Sequence, residues 1–290
     1  MKEVNLIQAL ENGLNALDSE HEWNNNLLHA SDLSVALKGE GKCPRQLWYR
    51  VNDYDREEDT PGKKLMFYHG NRLHEMIAKF LHKGLKDWYV MSVEQKIENL
   101  PHSITGRLDC LIGNKDCLLG NKDFDNKETM VVDFKTVRGR TFNYLTEAKP
   151  SHKLQVQTYM MSVDATYGAV LYIDREGQNF ANQYFVKRDD ESVLKAIDYA
   201  VNIINSEIPP AILKPQFKIN ENKGPDSVKI GMPWQCDYCE YCNITCDGAL
   251  PQDKRPSGIC GKIHDDEGYK PKKSLEWTSE YVNEYLKEAE

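Results

Sequence analysis

The stretch MVVDFKT, at residues 130–136, carries an acid and a base two positions apart behind a run of apolar residues. Side chains alternate along a β-strand, so Asp133 and Lys135 are predicted to project from the same face. A carboxylate beside an ammonium group near a strand end suits a metal ligand next to a group that stabilises developing charge. An acid and a lysine at this spacing also occur as an ordinary solvated ion pair. The surrounding residues must therefore show whether this pair belongs to a functional site.

Further polar residues lie where they could join this pair. His74 lies in the middle of a predicted helix, and Asp109 follows a glycine on a predicted strand. If that strand pairs with the one carrying Asp133, the two carboxylates can meet at one end of the sheet. Two carboxylates and an imidazole are suitable ligands for Mg²⁺ or Mn²⁺. Such an ion polarises a phosphoryl oxygen and lowers the pKa of a bound water, while Lys135 would neutralise charge on the phosphate or help to position the attacking water.

Apolar spacing and turn residues predict the elements that position these side chains. Predicted helices cover 3–18, 32–37, 64–85, 151–162, 189–205 and 275–289, and predicted strands cover 88–97, 104–112, 130–136, 169–173 and 183–186. The first three strands follow one another directly, which indicates an antiparallel meander. Gln155 and Tyr159 are four residues apart, so they share one helix face. Glu94 lies on the first strand and is interpreted as a solvated strand residue rather than a member of the site.

Composition places the chain among soluble globular proteins. It has 290 residues, 40% of them hydrophobic and 28% charged, with a net charge of −8. The sequence contains no membrane-spanning run and does not begin with a signal peptide, so the cytoplasm of a bacterial or phage-infected cell is expected. The negative charge argues mildly against a general nucleic-acid binder but allows an enzyme with a local basic groove.

Eight cysteines in a cytoplasmic chain are not expected to form disulfides, so their spacing is examined for metal binding. Four of them fall within eleven residues of the segment PWQCDYCEYCNITC, namely Cys236, Cys239, Cys242 and Cys246. Their spacing is a strong metal-binding signal, and these four local thiols could hold Zn²⁺ unaided.

Four short motifs resemble those of the PD-(D/E)XK nuclease superfamily. They are GNRLH at 70–74, GRLD at 106–109, DFK at 133–135 and QVQTY at 155–159. Their order and spacing are similar to the RecB-like branch, with its G-x-x-D, D-x-K and Q-x-x-x-Y motifs and an upstream histidine. The resemblance implies a restriction-endonuclease-like α/β fold, in which a mixed central sheet is flanked by helices.

The same resemblance assigns roles to individual residues. It implies that His74, Asp109 and Asp133 ligate the metal together with the carbonyl of Phe134, and that Lys135 is the catalytic lysine. It further implies that Gln155 and Tyr159 contact DNA or support the site. Arg138 and Arg140, directly after the catalytic strand, are the candidates for contacts with DNA phosphates.

The cysteines extend the resemblance to RecB-like nucleases that carry an iron–sulfur cluster, such as CRISPR-associated exonucleases and the AddB nuclease domain. There, one early cysteine and three late ones hold a [4Fe–4S] cluster. Cys43, in KCPRQLWYR, would be the early ligand, and Cys236, Cys239 and Cys246 the late ones. The usual late spacing is C-x2-C-x5-C, whereas Cys246 follows Cys239 by seven residues. Cys242 is therefore the alternative ligand, and Zn²⁺ on the four late thiols stays open.

Together these features predict one nuclease domain over 1–290, with a core at 64–206 and a tail at 251–290. An iron–sulfur subdomain would combine 29–52 with 224–250, from the N- and C-terminal arms. The expected function is Mg²⁺- or Mn²⁺-dependent exonuclease cleavage of single-stranded or end-bearing DNA. Its expected setting is DNA recombination, repair or replication, with partner proteins from those processes. No association with a membrane is expected. A non-catalytic DNA-binding adaptor with a structural metal cluster is the alternative, and a thiol-based redox or metal sensor is a third reading.

Overall fold

A computed structural model of the chain shows a mixed α/β protein. It describes residues 5–19, 27–54, 56–97, 100–114, 128–211, 213, 216–219, 228–231, 234–237 and 239–241, with the backbone alone for 216–219, 228–231 and 237. The chain divides into two compact units, Met1–Gly41 with Asp59–Asn202 and Lys42–Glu58 with Ile203–Glu290. Within the described ranges, no helix combines the length and apolar character needed to cross a membrane.

Seven α-helices and seven strands are described. The helices are α1 (Leu6–Ser19), α2 (Pro44–Val51), α3 (Pro61–Gly84), α4 (Gly139–Asn143), α5 (Pro150–Val163), α6 (Asp190–Ile204) and α7 (Trp234–Asp237). The strands are β1 (Trp88–Lys96), β2 (Arg107–Asn114), β3 (Thr129–Val137), β4 (Tyr167–Asp174), β5 (Ala181–Lys187), β6 (Gln216–Ile219) and β7 (Val228–Gly231). Two 3₁₀ helices, Ala30–Ala36 and Pro101–Ser103, complete the described elements.

The first unit is built on a five-stranded sheet in the order β1-β2-β3-β4-β5. The pairs β1–β2, β2–β3 and β4–β5 are antiparallel, which confirms the predicted meander, whereas β3 and β4 are parallel. A parallel pair needs a crossover connection, and α4 and α5 lie in that connection. Helix α5 therefore lies in the crossover that follows the strand carrying Asp133 and Lys135.

Buried side chains form one cluster on each face of this sheet. Val156, Tyr159 and Met160 of α5 join a cluster with residues such as Val131 and Tyr172. On the other side, buried residues of α3, β2 and β3 form a second cluster, made of Ile77, Ala78, Cys110, Ile112, Val132 and Phe134. Because neighbouring positions of β3, 131 and 132, belong to different clusters, the sheet is covered on both faces. This arrangement agrees with the predicted mixed sheet flanked by helices.

Several boundaries differ from the sequence expectation for physical reasons. Helix α3 begins at Pro61, not near residue 64, because the Thr60 side chain caps it by accepting the N–H of Lys63 at 3.3 Å. Strand β2 begins at Arg107, so Asp109 lies near its start and does not end it. The predicted helix at 32–37 is a 3₁₀ helix that begins earlier, and the Asp32 carboxylate accepts the N–H of His29 at 2.8 Å.

The second unit contains α2, which the sequence analysis did not predict. Its Trp48 indole donates to the carbonyl of Ser206 at 2.8 Å, and the rings of Tyr49 and Tyr241 lie 5.6 Å apart. These three rings are buried and pack the unit. Strands β6 and β7 form a separate antiparallel pair. The predicted helix at 275–289 lies outside the described residues.

Candidate active site

The two predicted carboxylates face each other across β2 and β3. Cys110 pairs with Val132 in the antiparallel register, and the next position along brings Asp109 opposite Asp133. Asp109 also accepts the backbone N–H of Phe134 at 2.6 Å through Oδ2. This hydrogen bond fixes the Asp109 side chain against β3 just beyond the last paired residues. Sheet register therefore brings together two acids that are 24 positions apart in the sequence.

Helix α3 supplies the imidazole. The Nδ1 atom of His74 lies 3.4 Å from Oδ1 of Asp109. The His74 ring also stands edge-on to the ring of Phe134, with centroids 5.7 Å apart and an interplanar angle of 82°. Since Phe134 is fully buried in the sheet, this contact limits where the imidazole can lie. His74 and Asp109 are thus brought together as the motifs suggested.

Lys135 connects the carboxylates to helix α5. Its ammonium donates to Oδ1 of Asp133 at 3.0 Å and to Oε1 of Gln155 at 3.1 Å. The Gln155 amide in turn donates to the hydroxyl of Tyr159 at 2.8 Å. This chain of hydrogen bonds fixes the position of the Lys135 ammonium, and it gives Gln155 and Tyr159 a supporting contact within the site.

The glycine of the GRLD segment has a packing role. A Cβ atom on Gly106 would lie 3.1 Å from Cδ1 of Ile97 and 3.3 Å from Cε1 of Tyr159. These distances are shorter than ordinary van der Waals contact, so the absence of a side chain lets the Tyr159 ring approach the backbone. Gly106 therefore helps to place the ring at the end of the Lys135–Gln155–Tyr159 chain.

Glu94 belongs to the site, although the sequence analysis interpreted it as a solvated strand residue. One potential ligand atom from each of His74, Glu94 and Asp109 lies within 4.8 Å of the other two. Glu94 is opposite Asp109 in the β1–β2 register, and its φ of 52° is left-handed. That backbone conformation is unfavourable for a non-glycine residue and is concentrated at functional sites. The signal in the sequence was an acid on the strand adjacent to the GRLD segment.

The electrostatics of the site are dominated by burial and by three carboxylates. Burial raises the pKa of Asp133 to about 6, although the Lys135 charge opposes this. Burial alone would lower the pKa of Lys135, but the charges of Asp133 and Asp109 outweigh it and the pKa is raised. The two directions are compatible because Asp133 is the more deeply buried partner and also faces Asp109. Burial raises the pKa of Glu94, and repulsion from Asp109 adds to that rise.

The pKa of His74 is also set by burial and by neighbouring negative charge, which act in opposite directions. Burial lowers the pKa of its imidazole, but the hydrogen bond and charge of Asp109 raise it, and the net direction is upward. The site thus favours positive charge at both of its basic groups. The three acids of the site face one lysine and one imidazole, and the Arg107 guanidinium lies 3.5 Å from Glu94.

These residues fit a hard divalent cation. Oδ2 of Asp133 is buried and accepts no hydrogen bond from any described residue; the Lys135 ammonium lies 2.8 Å away but outside hydrogen-bond direction. An oxygen in that state is a suitable metal ligand, and carboxylates with an imidazole suit Mg²⁺ or Mn²⁺. His74, Asp109 and Glu94 offer further ligand atoms. The role predicted for the Phe134 carbonyl stays a prediction.

The remaining predicted residues lie elsewhere. Arg138 and Arg140 follow β3 directly and are both exposed. In the second unit, Cys43 and Cys236 are buried, and burial raises the pKa of the Cys43 thiol, which Cys239 and Cys236 raise further by their charge. The early and late cysteines therefore come close enough to interact. Cys242 and Cys246 lie outside the described residues.

Adjacent strands present carboxylates and a lysine, and a flanking helix adds a histidine, a set that could hold a divalent ion and act on a phosphoryl group. Residues 34–246 match the model of the PD-(D/E)XK nuclease superfamily, and the chain belongs to this superfamily. The predicted superfamily is confirmed, whereas its RecB-like iron–sulfur branch stays a prediction. No curated protein sequence matches the chain.

Several solved structures resemble the chain at low sequence identity. The crystal structure of SSO0001 is 18% identical, with a TM-score of 0.49, and the match covers 86% of this chain and 98% of that one. The alkaline exonuclease LHK-Exo from Laribacter hongkongensis is 13% identical, with a TM-score of 0.42 and coverage of 62% and 87%. A phage-related exonuclease from Haemophilus somnus 129PT is 14% identical, with a TM-score of 0.39 and coverage of 64% and 94%.

Proposed function

We propose that the protein is a metal-dependent DNA exonuclease that acts on single strands or duplex ends in the cytoplasm of a bacterial or phage-infected cell. The observation that carries this proposal is the convergence of His74, Asp109, Asp133 and Lys135 in a member of a nuclease superfamily. The exonuclease form of the activity rests on the upstream histidine of the RecB-like resemblance. Recombination, repair or replication would be its setting.

Mg²⁺ or Mn²⁺ would be held by His74, Asp109 and Asp133, with the Phe134 carbonyl as a further ligand and Glu94 beside them. When bound, the ion polarises the phosphodiester and lowers the pKa of a water molecule. Two observations support this assignment: Oδ2 of Asp133 is buried and accepts no hydrogen bond from a described residue, and ligand atoms of His74, Glu94 and Asp109 lie close together.

Lys135 would act on the reacting phosphate. Its ammonium is kept charged by Asp133 and Asp109, and it is aimed by Gln155, whose amide is fixed by Tyr159. A positioned cation of this kind stabilises charge as it develops on the phosphate, without reorganising in the reaction. Arg138 and Arg140 would contact phosphates of the same strand, which the exposure of both side chains permits.

The activity test is digestion of end-labelled single- and double-stranded DNA with Mg²⁺ or Mn²⁺, beside a covalently closed circle of the same sequence. An exonuclease releases nucleotides from the linear substrates and leaves the circle intact. Lys135→Ala should abolish cleavage, whereas Lys153→Ala, which removes a lysine paired with the exposed Glu147, should not. Binding without cleavage by the wild-type protein would instead support the non-catalytic adaptor.

We also propose a [4Fe–4S] cluster in the second unit, held by Cys43, Cys236, Cys239 and Cys246, with Cys242 as the alternative ligand. The electrostatic interaction of Cys43 with Cys236 and Cys239 supports it, because one early and two late thiols approach each other. The cluster would tie the two arms of the chain together within that unit.

Iron analysis tests the cluster directly. Anaerobically purified protein should be brown and hold about four irons per chain. Cys43→Ala should lose the iron, and Cys110→Ala, which changes a buried thiol of β2 in the first unit, should keep it. A colourless protein that contains stoichiometric zinc, and keeps this zinc in the Cys43→Ala variant, would support Zn²⁺ on the four late thiols.

A further inference from the structure

A histidine and a tyrosine outside the four motifs form a hydrogen-bonded pair beside Lys135. Nδ1 of His152, in the first turn of α5, lies 2.7 Å from the hydroxyl of Tyr172 on β4. The Tyr172 side chain is fully buried, and its hydroxyl also accepts the backbone N–H of Lys149 at 3.0 Å. The His152 side chain is only partly buried.

These contacts determine which imidazole nitrogen carries the proton. The Tyr172 hydroxyl has one proton to donate, and within the described part of the chain Nδ1 of His152 is the acceptor for it. If Nδ1 carried the proton instead, the buried hydroxyl would be left without an acceptor, which is unfavourable. The proton of the neutral imidazole therefore lies on Nε2. No hydrogen bond of Nε2 is found among the described residues.

The position of His152 relates it to the site. His152, Gln155 and Tyr159 are three and four residues apart on α5, so they lie along one helix face. Tyr172 is the register partner of Lys135 across the parallel β3–β4 pair. The pair thus flanks the Lys135 ammonium on two elements, one helical turn before Gln155.

The imidazole remains neutral in this position. Burial lowers the pKa of His152 to about 3, and the nearby charges of Lys135 and Lys149 contribute to the decrease. A neutral imidazole with its proton on Nε2 is a hydrogen-bond donor that adds no charge. Such a donor suits a phosphate oxygen at a place where Lys135 already supplies the positive charge.

We infer that the Nε2–H group of His152 donates a hydrogen bond to a non-bridging phosphate oxygen of the bound DNA strand, with Tyr172 holding the imidazole in the required tautomer. His152 would be a substrate-binding residue and Tyr172 a positioning residue. The inference rests on the proposed function, because it supposes that DNA phosphates pass beside Lys135.

A matched pair of substitutions tests the inference. His152→Gln places an amide donor near the position of Nε2, whereas His152→Asn places its amide near Nδ1 and can only maintain the contact with Tyr172. The measurement is fluorescence anisotropy of a labelled oligonucleotide that the wild-type protein cleaves, with Ca²⁺ in place of Mg²⁺. His82→Asn, on an exposed histidine in the last turn of α3, is the control.

We expect His152→Asn to weaken binding roughly 10- to 100-fold, the effect of one hydrogen bond to a charged group. His152→Gln should recover most of this loss, and Tyr172→Phe should lie between wild type and His152→Asn. The slope of affinity against salt should be unchanged by His152→Asn, because no charge is removed, whereas Arg138→Ala should reduce it by about 0.7 to 0.9.

Equal binding by the Asn and Gln variants, or a wild-type affinity for His152→Asn, would overturn the inference. A changed salt slope in His152→Asn would likewise exclude a neutral donor. Wild-type cleavage of the same oligonucleotide reports the proposed function separately, so a failure of either proposal can be recognised. Should His152→Asn not fold, Tyr172→Phe still decides, since the inference predicts weaker binding for it, whereas a purely structural pair predicts wild-type binding for any folded variant.

Discussion

Replacing Lys135 by alanine is expected to do more than abolish cleavage, since it should also destabilise the protein in a pH-dependent way. The motif alone gives Lys135 a role only on the reacting phosphate, which predicts an unaffected fold. The structure shows that its ammonium is also the cation beside the buried Asp133 carboxylate, whose side chain is 1% exposed. Without Lys135, Asp133 would either remain a buried carboxylate with no positive charge beside it or take up a proton.

The size of the effect follows from the pKa of Asp133. Its pKa rises from 3.8 to about 6 on folding. At a pH above about 6, where Asp133 is ionised, this rise lowers the free energy of unfolding of the wild-type protein by about 3 kcal/mol. Loss of the Lys135 charge removes the contribution that lowers this pKa, so the pKa rises further. At about pH 8 the variant should then lose up to about 3 kcal/mol more than wild type. This agrees with the about 3–5 kcal/mol typical of breaking a buried ion pair.

The sign of the pH dependence follows from the same shift. A carboxyl group whose pKa is raised on folding adds stability at low pH and loses it as the pH rises through the folded pKa. Below about pH 5, Asp133 is mostly protonated in both proteins, so the difference should shrink to the lost hydrogen bond with Gln155, about 1 kcal/mol. The difference between variant and wild type should therefore grow between about pH 5 and about pH 8.

Urea unfolding followed by circular dichroism, in the presence of a chelator of divalent ions, measures this difference at each pH. Lys153→Ala is the control, because its partner Glu147 is exposed and no pH-dependent change is expected. The double variant Asp133→Asn, Lys135→Met removes both charges and should recover most of the stability at about pH 8. A loss for Lys135→Ala that is the same at both pH values would show that Asp133 does not depend on Lys135 for its charge.

Three further outcomes can be measured. His74→Ala should weaken Mn²⁺ binding in calorimetry at least about tenfold, since it removes a ligand, and an unchanged affinity would remove His74 from the metal site. Gly106→Ala should cost about 1–3 kcal/mol and slow cleavage, because its Cβ would crowd Ile97 and Tyr159, whereas Gly13→Ala has open space and should cost nothing. Burial raises the pKa of Cys110 to about 12, so mass spectrometry should find this thiol unalkylated by iodoacetamide until the protein is unfolded.

The sequence was sufficient to predict most elements of the five-stranded sheet and of the helices around it. The strands at 88–97 and 130–136 and the helices at 151–162 and 189–205 match β1, β3, α5 and α6 to within a few residues. Their order also gave the antiparallel meander, and with it the approach of Asp109 to Asp133. Helix α2 was not predicted because it spans only 8 residues, which is too short for apolar spacing to identify a helix.

The parts of the site that the sequence did not predict depend on contacts between distant positions. Glu94 enters the site through the β1–β2 register, which brings it opposite Asp109 across a loop, and through a left-handed backbone that no local residue preference indicates. His152 is three residues before Gln155, so its position on the correct helix face was visible in the sequence. What was not visible is the parallel register that brings Tyr172 next to Lys135, and with it the hydroxyl that donates to Nδ1 of His152. Motifs therefore identified the residues that we propose act on the phosphate, whereas strand pairing determines the neighbouring residues that support them.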